Sequence, residues 1–338
     1  MLGYMMKWNR LGRRSVCGLI LLTLFVPVQA RAQGQTSAPI APIDLPKHAP
    51  VKVGKKRTPE PTFVLVGAGD IASCKEPQGA RATAKLIEQI PGTVFAAGDL
   101  AYESGVWEQF RDCYGPTWGR FKDRTKPALG NHEYADKTAA GYFDYWGSRG
   151  GPRGKGYYSY DLGAWHIVVL NTNCYVPDLG GCGEGSPQET WLKEDLAKNP
   201  KACILAYGHH ALFSSGLFKK HAVHPELKHL WDDLYAAHSD LVLAGHEHSY
   251  ERFAPQDPEG KADSANGIRE IVAGTGGRSH DLLGFATPNS EVREWETYGV
   301  LKLTLSPGKY TWEFIPEEGK TFHDAGSGVC HNYPTESN

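Results

Sequence analysis

The sequence predicts an α/β fold, a four-layer α/β/β/α sandwich of two mixed sheets. Short apolar runs such as Phe63-Val64-Leu65-Val66 and Leu241-Val242-Leu243-Ala244 have the length and composition of strands buried on both faces. Between such runs lie amphipathic stretches of helical period, the alternation expected of βαβ units. Four of the apolar runs also end on a polar residue. These ends recur over a long chain interval, as when the strands of two sheets bring their carboxyl ends to one site. Hydrophobic residues make up 41% of the 338 and aromatic residues 11%, which suits a packed core rather than a disordered chain.

In chain order, Lys7, Arg10, Arg13 and Arg14 precede the apolar stretch 16–28, and Ala30-Arg31-Ala32 offers a small-x-small cleavage site. Residues 1–32 are therefore expected to be an export signal, since the stretch is shorter than the ~20 residues of a spanning helix. The Arg13-Arg14 pair fits, in part, a twin-arginine leader. Residues 33–61, rich in Pro, Ala and Lys and without periodicity, read as a flexible linker. A strand over 63–66 follows, then a helix over 80–90 stopped by Pro91-Gly92, then a strand over 94–97. After the aromatic, glycine-rich stretch 142–160 come a strand over 165–170, a helix over 188–196 and a strand over 204–208. A helix over 227–237 and a strand over 241–244 continue the alternation. The remainder is β-like at 270–273, 300–305 and 310–314, with a turn at Ser306-Pro307-Gly308. One domain is expected over 62–316, with 317–338 a loosely packed tail.

Loss of the leader with Cys17 leaves Cys74, Cys113, Cys174, Cys182, Cys203 and Cys330, an even count that favours disulfides in an exported chain. Cys174 and Cys182 bracket the turn-rich Val176-Pro177-Asp178-Leu179-Gly180-Gly181 and form the expected local bridge. Cys74 with Cys113 is a second, less local pair. Cys203 lies in a core-strand pattern and reads as a buried free thiol, with Cys330 an anchor for the tail.

The strand ends supply Asp70, then Asp99 with Tyr102 three residues on, then His209, then His246 with His248; the loop Gly130-Asn131-His132-Glu133 adds Asn131. Such oxygen and nitrogen donors meet the needs of two cations ~3.5–4 Å apart with a carboxylate between them. Asp99 is the natural bridge. The lack of cysteine among them points to iron, zinc or manganese rather than a thiolate site. Alone, each residue has a duller reading: Gly-Asp and Asn-Gly are turn chemistry, and Tyr102 a packed aromatic. The ordered set makes the site. His209 and His210 are adjacent, and strand alternation would send them to opposite faces, so only one should bind. His224 and His229, in a polar loop and helix start, read as solvated, as does His221, which is also a candidate substrate contact.

The series Gly69-Asp70, Gly98-Asp99-Leu100-Ala101-Tyr102, Gly130-Asn131-His132-Glu133, His209 and Gly245-His246-Glu247-His248 resembles the calcineurin-like metallophosphoesterases, and among them most the purple acid phosphatases. The resemblance covers residues 62 to 316. The wider superfamily carries a histidine two residues after its first aspartate, where this chain has Ala72. The purple acid phosphatase branch carries a tyrosine after its second, here Tyr102. By that resemblance Asp70, Asp99, Tyr102 and His248 hold a ferric ion, while Asp99, Asn131, His209 and His246 hold zinc, manganese or ferrous iron. It selects His209 as the ligand and leaves His210 beside it. His132 would orient the phosphate or protonate the leaving group. Tyr250-Glu251-Arg252 would support the His248 loop, with Arg252 also a candidate for touching substrate.

The leader implies a secreted or periplasmic location, and the resemblance implies an acid phosphatase acting on a small phosphorylated substrate. Its rivals are a phosphodiesterase or pyrophosphohydrolase with the same centre, and an exported binding protein that kept the fold without catalysis. A net charge of −2 offers no electrostatic footprint for nucleic acid or, after signal cleavage, for a membrane surface.

Overall fold

The computed structural model describes residues 61–201, 203–217 and 224–333; the leader, the linker up to residue 60 and His221 lie outside them. The chain runs through β1 (Phe63–Ala68), β2 (Ala72–Ser73), α1 (Gln78–Gln89), β3 (Thr93–Ala97), β4 (Ala101–Tyr102), β5 (Thr125–Ala128) and α2 (Ala140–Trp146). Then follow β6 (Tyr158–Leu162), β7 (Trp165–Val169), α3 (Pro187–Lys198), β8 (Cys203–Tyr207), α4 (Lys228–Ala236) and β9 (Leu241–Ala244). The last strands are β10 (Tyr250–Phe253), β11 (Arg269–Ala273), β12 (Ser290–Glu294), β13 (Gly299–Ser306), β14 (Lys309–Pro316) and β15 (Ala325–Val329).

Among the described residues, six strands form one sheet in the order β15-β14-β13-β1-β3-β5, and seven form a second in the order β12-β10-β11-β9-β8-β7-β6. Both are mixed: β1 runs parallel to β3 but antiparallel to β13, and β8 parallel to β9 while β6 opposes β7. The two sheets face each other across Leu65, Phe95 and Leu303 on one side and Ile167, Leu205, Leu243 and Ile271 on the other. The outer face of the first sheet, Val66, Ala68, Val94 and Ala96, is covered by Ala80, Ala84 and Ile87 of α1 and by the aromatic residues Phe110, Tyr114 and Tyr142. The outer face of the second, Val168, Ile204, Ala206 and Val242, is covered by Leu192 and Leu196 of α3 and Leu230 and Leu234 of α4. That is the predicted four-layer sandwich. Strands buried on both faces read as unbroken apolar runs, which is why they were legible.

Local signals place the helix ends. α1 stops where Ile90 turns extended ahead of Pro91-Gly92. In α3, Ser186 caps the start by accepting the Glu189 N–H at 3.2 Å, with Pro187 in the first helical position, where its missing N–H costs nothing.

Three expectations change. Cys203 is not a free thiol: it is bonded to Cys330, alongside the Cys74–Cys113 and Cys174–Cys182 bridges. The start of β8 lies beside the turn that ends the described residues, a proximity of residues 127 apart that no local pattern announces. The segment read as a loose tail carries β15, which pairs with β14 along Lys309–Glu313. Asp324 just before it accepts hydrogen bonds from Tyr250, Arg252 and Trp312. Arg252, a candidate for the site, is turned to Asp324 and Glu291 over the Trp312 ring and ties the second sheet to this segment.

Candidate metal centre

Five strand ends meet at one edge of the sandwich. Asp70 follows β1, Asp99 follows β3 and Asn131 follows β5, three neighbours in the first sheet; His209 follows β8 and His246 follows β9, neighbours in the second. Main-chain bonds join the sheets here, from Gly69 N to Ala273 O at 2.8 Å. Asp70, Asp99 and His246 hold φ of 61°, 53° and 71°. The left-handed region costs an L-residue roughly 1–2 kcal/mol, and such strain gathers at functional sites. Gly98, at φ 80°, has no alternative residue: a Cβ there would lie 2.6 Å from the His209 ring.

The donors form two sets. In the first, the Tyr102 hydroxyl lies 2.8 Å from Asp70 Oδ1, 3.0 Å from Asp99 Oδ2 and 3.2 Å from His248 Nε2. Two carboxylates thus converge on one phenolic proton, a concentration of negative charge that fits a multiply charged cation. In the second, His209 Nε2 lies 3.0 Å from Asn131 Oδ1, 3.2 Å from Asp99 Oδ2 and 3.2 Å from His246 Nδ1. Asp99 Oδ2 belongs to both.

The imidazoles are oriented from behind. His209 Nδ1 donates to the Ala97 carbonyl at 2.9 Å, which can only accept, so the Nε2 lone pair of the neutral ring faces the other donors. His248 Nδ1 lies 2.6 Å from Ser279 Oγ, leaving Nε2 inward. Both arrangements suit imidazole ligation.

The charges of the donors respond to one another. Burial alone would raise the carboxyls of Asp70 and Asp99, but His209 outweighs it, helped by His248 at Asp70 and His132 at Asp99, and holds both below the ordinary range. Burial opposes a charged His209, yet Asp99 and Asp70 push it up to about 9. Burial, then the His209 charge, push His246 down to about 3. Burial, then Asp70 and Asp99, push the Tyr102 hydroxyl well above the usual phenol value.

His132 stands at the rim. Its Nδ1 donates to the Glu103 carbonyl at 2.6 Å, its Nε2 faces Asp99 Oδ2 at 3.8 Å, and its ring lies 4.4 Å from that of Tyr102. The structure therefore brings together Asp70, Asp99, Tyr102, Asn131, His132, His209, His246 and His248.

His210 does not diverge from His209 as strand alternation suggested, because β8 ends at Tyr207 and both lie in the loop beyond it. Its ring sits 4.5 Å from that of His246, with Nδ1 2.9 Å from Thr172 Oγ1. Thr172 Oγ1 also accepts the His209 and His210 N–H groups, which fills its two lone pairs. Its own proton must then go to His210 Nδ1, so neutral His210 carries hydrogen on Nε2 and offers no lone pair. His224, read as solvated, packs instead 4.1 Å from the His210 ring, while His229 is exposed.

Sequence reasoning gave no role to Glu133, whose buried carboxylate accepts the N–H groups of Asp99, Leu100, Ala101 and Gly130. Its place in Gly130-Asn131-His132-Glu133 was the available signal. It also missed Arg278, which bonds Glu103 Oε1 at 2.8 Å and covers the Tyr102 ring at 5.0 Å, and Ser279 with Asp281, which hold His248. These come from a polar loop without periodicity.

The sequence model of the calcineurin-like phosphoesterases matches residues 63–250. Purple acid phosphatase 21 of Arabidopsis thaliana is 34% identical over 143 residues, covering 41% of this chain and 31% of that protein. Acid phosphatase type 7 of Homo sapiens is 31% identical over 180 residues, covering 46% of this chain and 41% of that protein. The matches thus span well under half the length of these relatives. Among solved structures, purple acid phosphatase PPD1 from yellow lupin (Lupinus luteus) seeds shares the fold, with a TM-score of 0.59 at 20% identity over 82% of this chain and 57% of that one.

Proposed function

Because the chain belongs to the calcineurin-like phosphoesterases, we propose that it is an exported acid phosphatase that hydrolyses phosphate monoesters at a dinuclear metal centre. One observation carries the reading: Asp99 Oδ2 is shared between the phenol of Tyr102 and the imidazole of His209, so one carboxylate oxygen serves two donor sets.

Asp70, Asp99, Tyr102 and His248 would hold a ferric ion, since carboxylate and phenolate oxygens suit a hard cation. Asp99, Asn131, His209 and His246 would hold zinc, manganese or ferrous iron. Such a pair supplies acidified water for in-line attack on phosphorus and positive charge against the phosphate. The chain's residues do the rest. The Glu103 carbonyl fixes the Nδ1–H of His132, so the proton that a charged His132 can give up is on Nε2, toward the site. That is the proton a leaving alkoxide needs. Glu133 holds the turn that carries Asp99, and Thr172 keeps His210 a donor rather than a competing ligand.

The three disulfides support an oxidising, secreted or periplasmic home, in line with the basic and apolar leader. No helix among the described residues is long and apolar enough to cross a membrane.

The test is metal analysis of purified protein beside turnover of p-nitrophenyl phosphate and bis-p-nitrophenyl phosphate. A pair of bound metals and faster monoester turnover are expected. Faster diester turnover would replace the reading with a phosphodiesterase, and bound metal without turnover of either would leave a binding protein.

A further inference from the structure

Few large side chains are exposed among the described residues, and Tyr175, 60% exposed, is one whose neighbours in the chain bond to the segment that carries His132. Trp107 leans on Tyr145, and Leu282 follows Asp281 on the His248 side. Tyr175 is fixed by what flanks it. Cys174 before it is bonded to Cys182, and Val176 after it is buried in the core beneath the first sheet. Two residues back, the fully buried Asn173 donates from Nδ2 to the Leu129 carbonyl at 3.3 Å and to Asn171 Oδ1 at 2.8 Å. Leu129 directly precedes Gly130-Asn131-His132, and Asn171 Nδ2 bonds the Tyr134 hydroxyl at 2.8 Å on the turn that begins at His132. A polar frame therefore couples the backbone of Tyr175 to that of His132.

The Tyr175 hydroxyl, 3.4 Å from Asn173 Oδ1, also feels the centre. Burial, then the charges of Asp99 and Glu133, push it up to about 12.

We propose that Tyr175 is a specificity-determining residue, its exposed ring forming the surface on which an aromatic ring of the departing alcohol stacks. The preferred substrates are then monoesters of phenols and benzylic alcohols. This rests on the phosphatase reading, in which His132 protonates the leaving oxygen and so sets the side on which the alcohol lies. An aromatic ring already held in place loses little freedom on stacking, so the gain in affinity is large for one contact.

The test is calorimetric binding of benzylphosphonate and methylphosphonate, whose C–P bonds resist hydrolysis, to the metal-reconstituted full chain. Wild type should bind the benzyl compound about three- to tenfold more tightly, the size of an aromatic stacking effect. Tyr175→Ala should bring that ratio close to one with metal content intact, and Tyr175→Phe should restore it. An equal ratio in Tyr175→Ala, or no preference in wild type, overturns the proposal. Turnover of benzyl phosphate in parallel separates the two readings. Binding preference without turnover removes the phosphatase and keeps the subsite; turnover with a ratio indifferent to Tyr175→Ala does the reverse.

Discussion

Glu133 accepts the main-chain N–H of Asp99 at 2.9 Å, so the carboxylate that two donor sets share is positioned by a second carboxylate that itself faces no donor set. The same Glu133 holds Gly130 N at 2.8 Å and thereby fixes the spacing between the β3 and β5 ends. Burial, then Asp99, push it up to about 7, against the pull of those N–H groups.

Glu133→Ala should strand several buried N–H groups at once. Each unsatisfied donor costs ~1–3 kcal/mol, so a loss of at least about 2 kcal/mol in denaturant unfolding is expected, together with weaker metal retention. An unfolding midpoint and metal content equal to wild type would show that the turn stands without it.

His132→Ala should lower kcat with metal content nearly intact, because the ring donates to Glu103 and not to a donor set. General acids contribute ~10²–10⁴-fold. The loss should shrink for p-nitrophenyl phosphate, whose leaving group needs no proton. An alkyl phosphate hydrolysed at the wild-type rate would take His132 out of the reaction.

Tyr102→Phe probes the ferric assignment. Protons alone leave this phenol neutral, pushed up by burial and by Asp70 and Asp99; a ferric ion would invert that balance and favour phenolate, as a bound cation generally does. Oxidised wild type should then be purple or pink, and Tyr102→Phe colourless with weakened iron retention. A colourless iron-loaded wild type would end the assignment.

His166 gives a pH dependence away from the centre. Its ring is buried between Asp161 and Asp195, each at 2.9 Å. Burial opposes its charge, but Asp195 and Asp161 outweigh burial and raise its affinity for a proton above the ordinary value. A raised folded-state value means the stabilisation is fully present below the unfolded value of about 6.5 and fades as pH rises through the folded one. The stability gap between wild type and His166→Gln should therefore be widest in acid and close toward alkaline pH. A gap that widens with pH would contradict the pairing.

The fold and most of the donor set were legible because buried strands are apolar runs and each run ended on its functional residue. What escaped lacked a local signature. β5 is four residues with Pro127 inside, and β12, Ser290–Glu294, is half-exposed and charged, so neither reads as a strand. Cys203 looked like any core residue because its partner arrives from across the whole domain. His224 looked solvated because no periodic apolar pattern surrounds it in the sequence, while its neighbours in space are His210 and His246. The sense of the Thr172–His210 bond depends on two main-chain donors that only the folded loop supplies.

The pairing of β1 with β13 has a consequence for the growing chain. Phe63 lies opposite Leu305, so one edge of β1 is covered by β3 almost at once, while the other stays open until nearly the whole domain exists. An uncovered apolar strand edge is a template for association with other chains. Contacts this distant in sequence also form late. The strand that delivers Asp70 is therefore the first of the described strands to be synthesised, yet one of its edges waits for β13, and chains interrupted before residue 299 should accumulate as aggregates rather than as partly active protein.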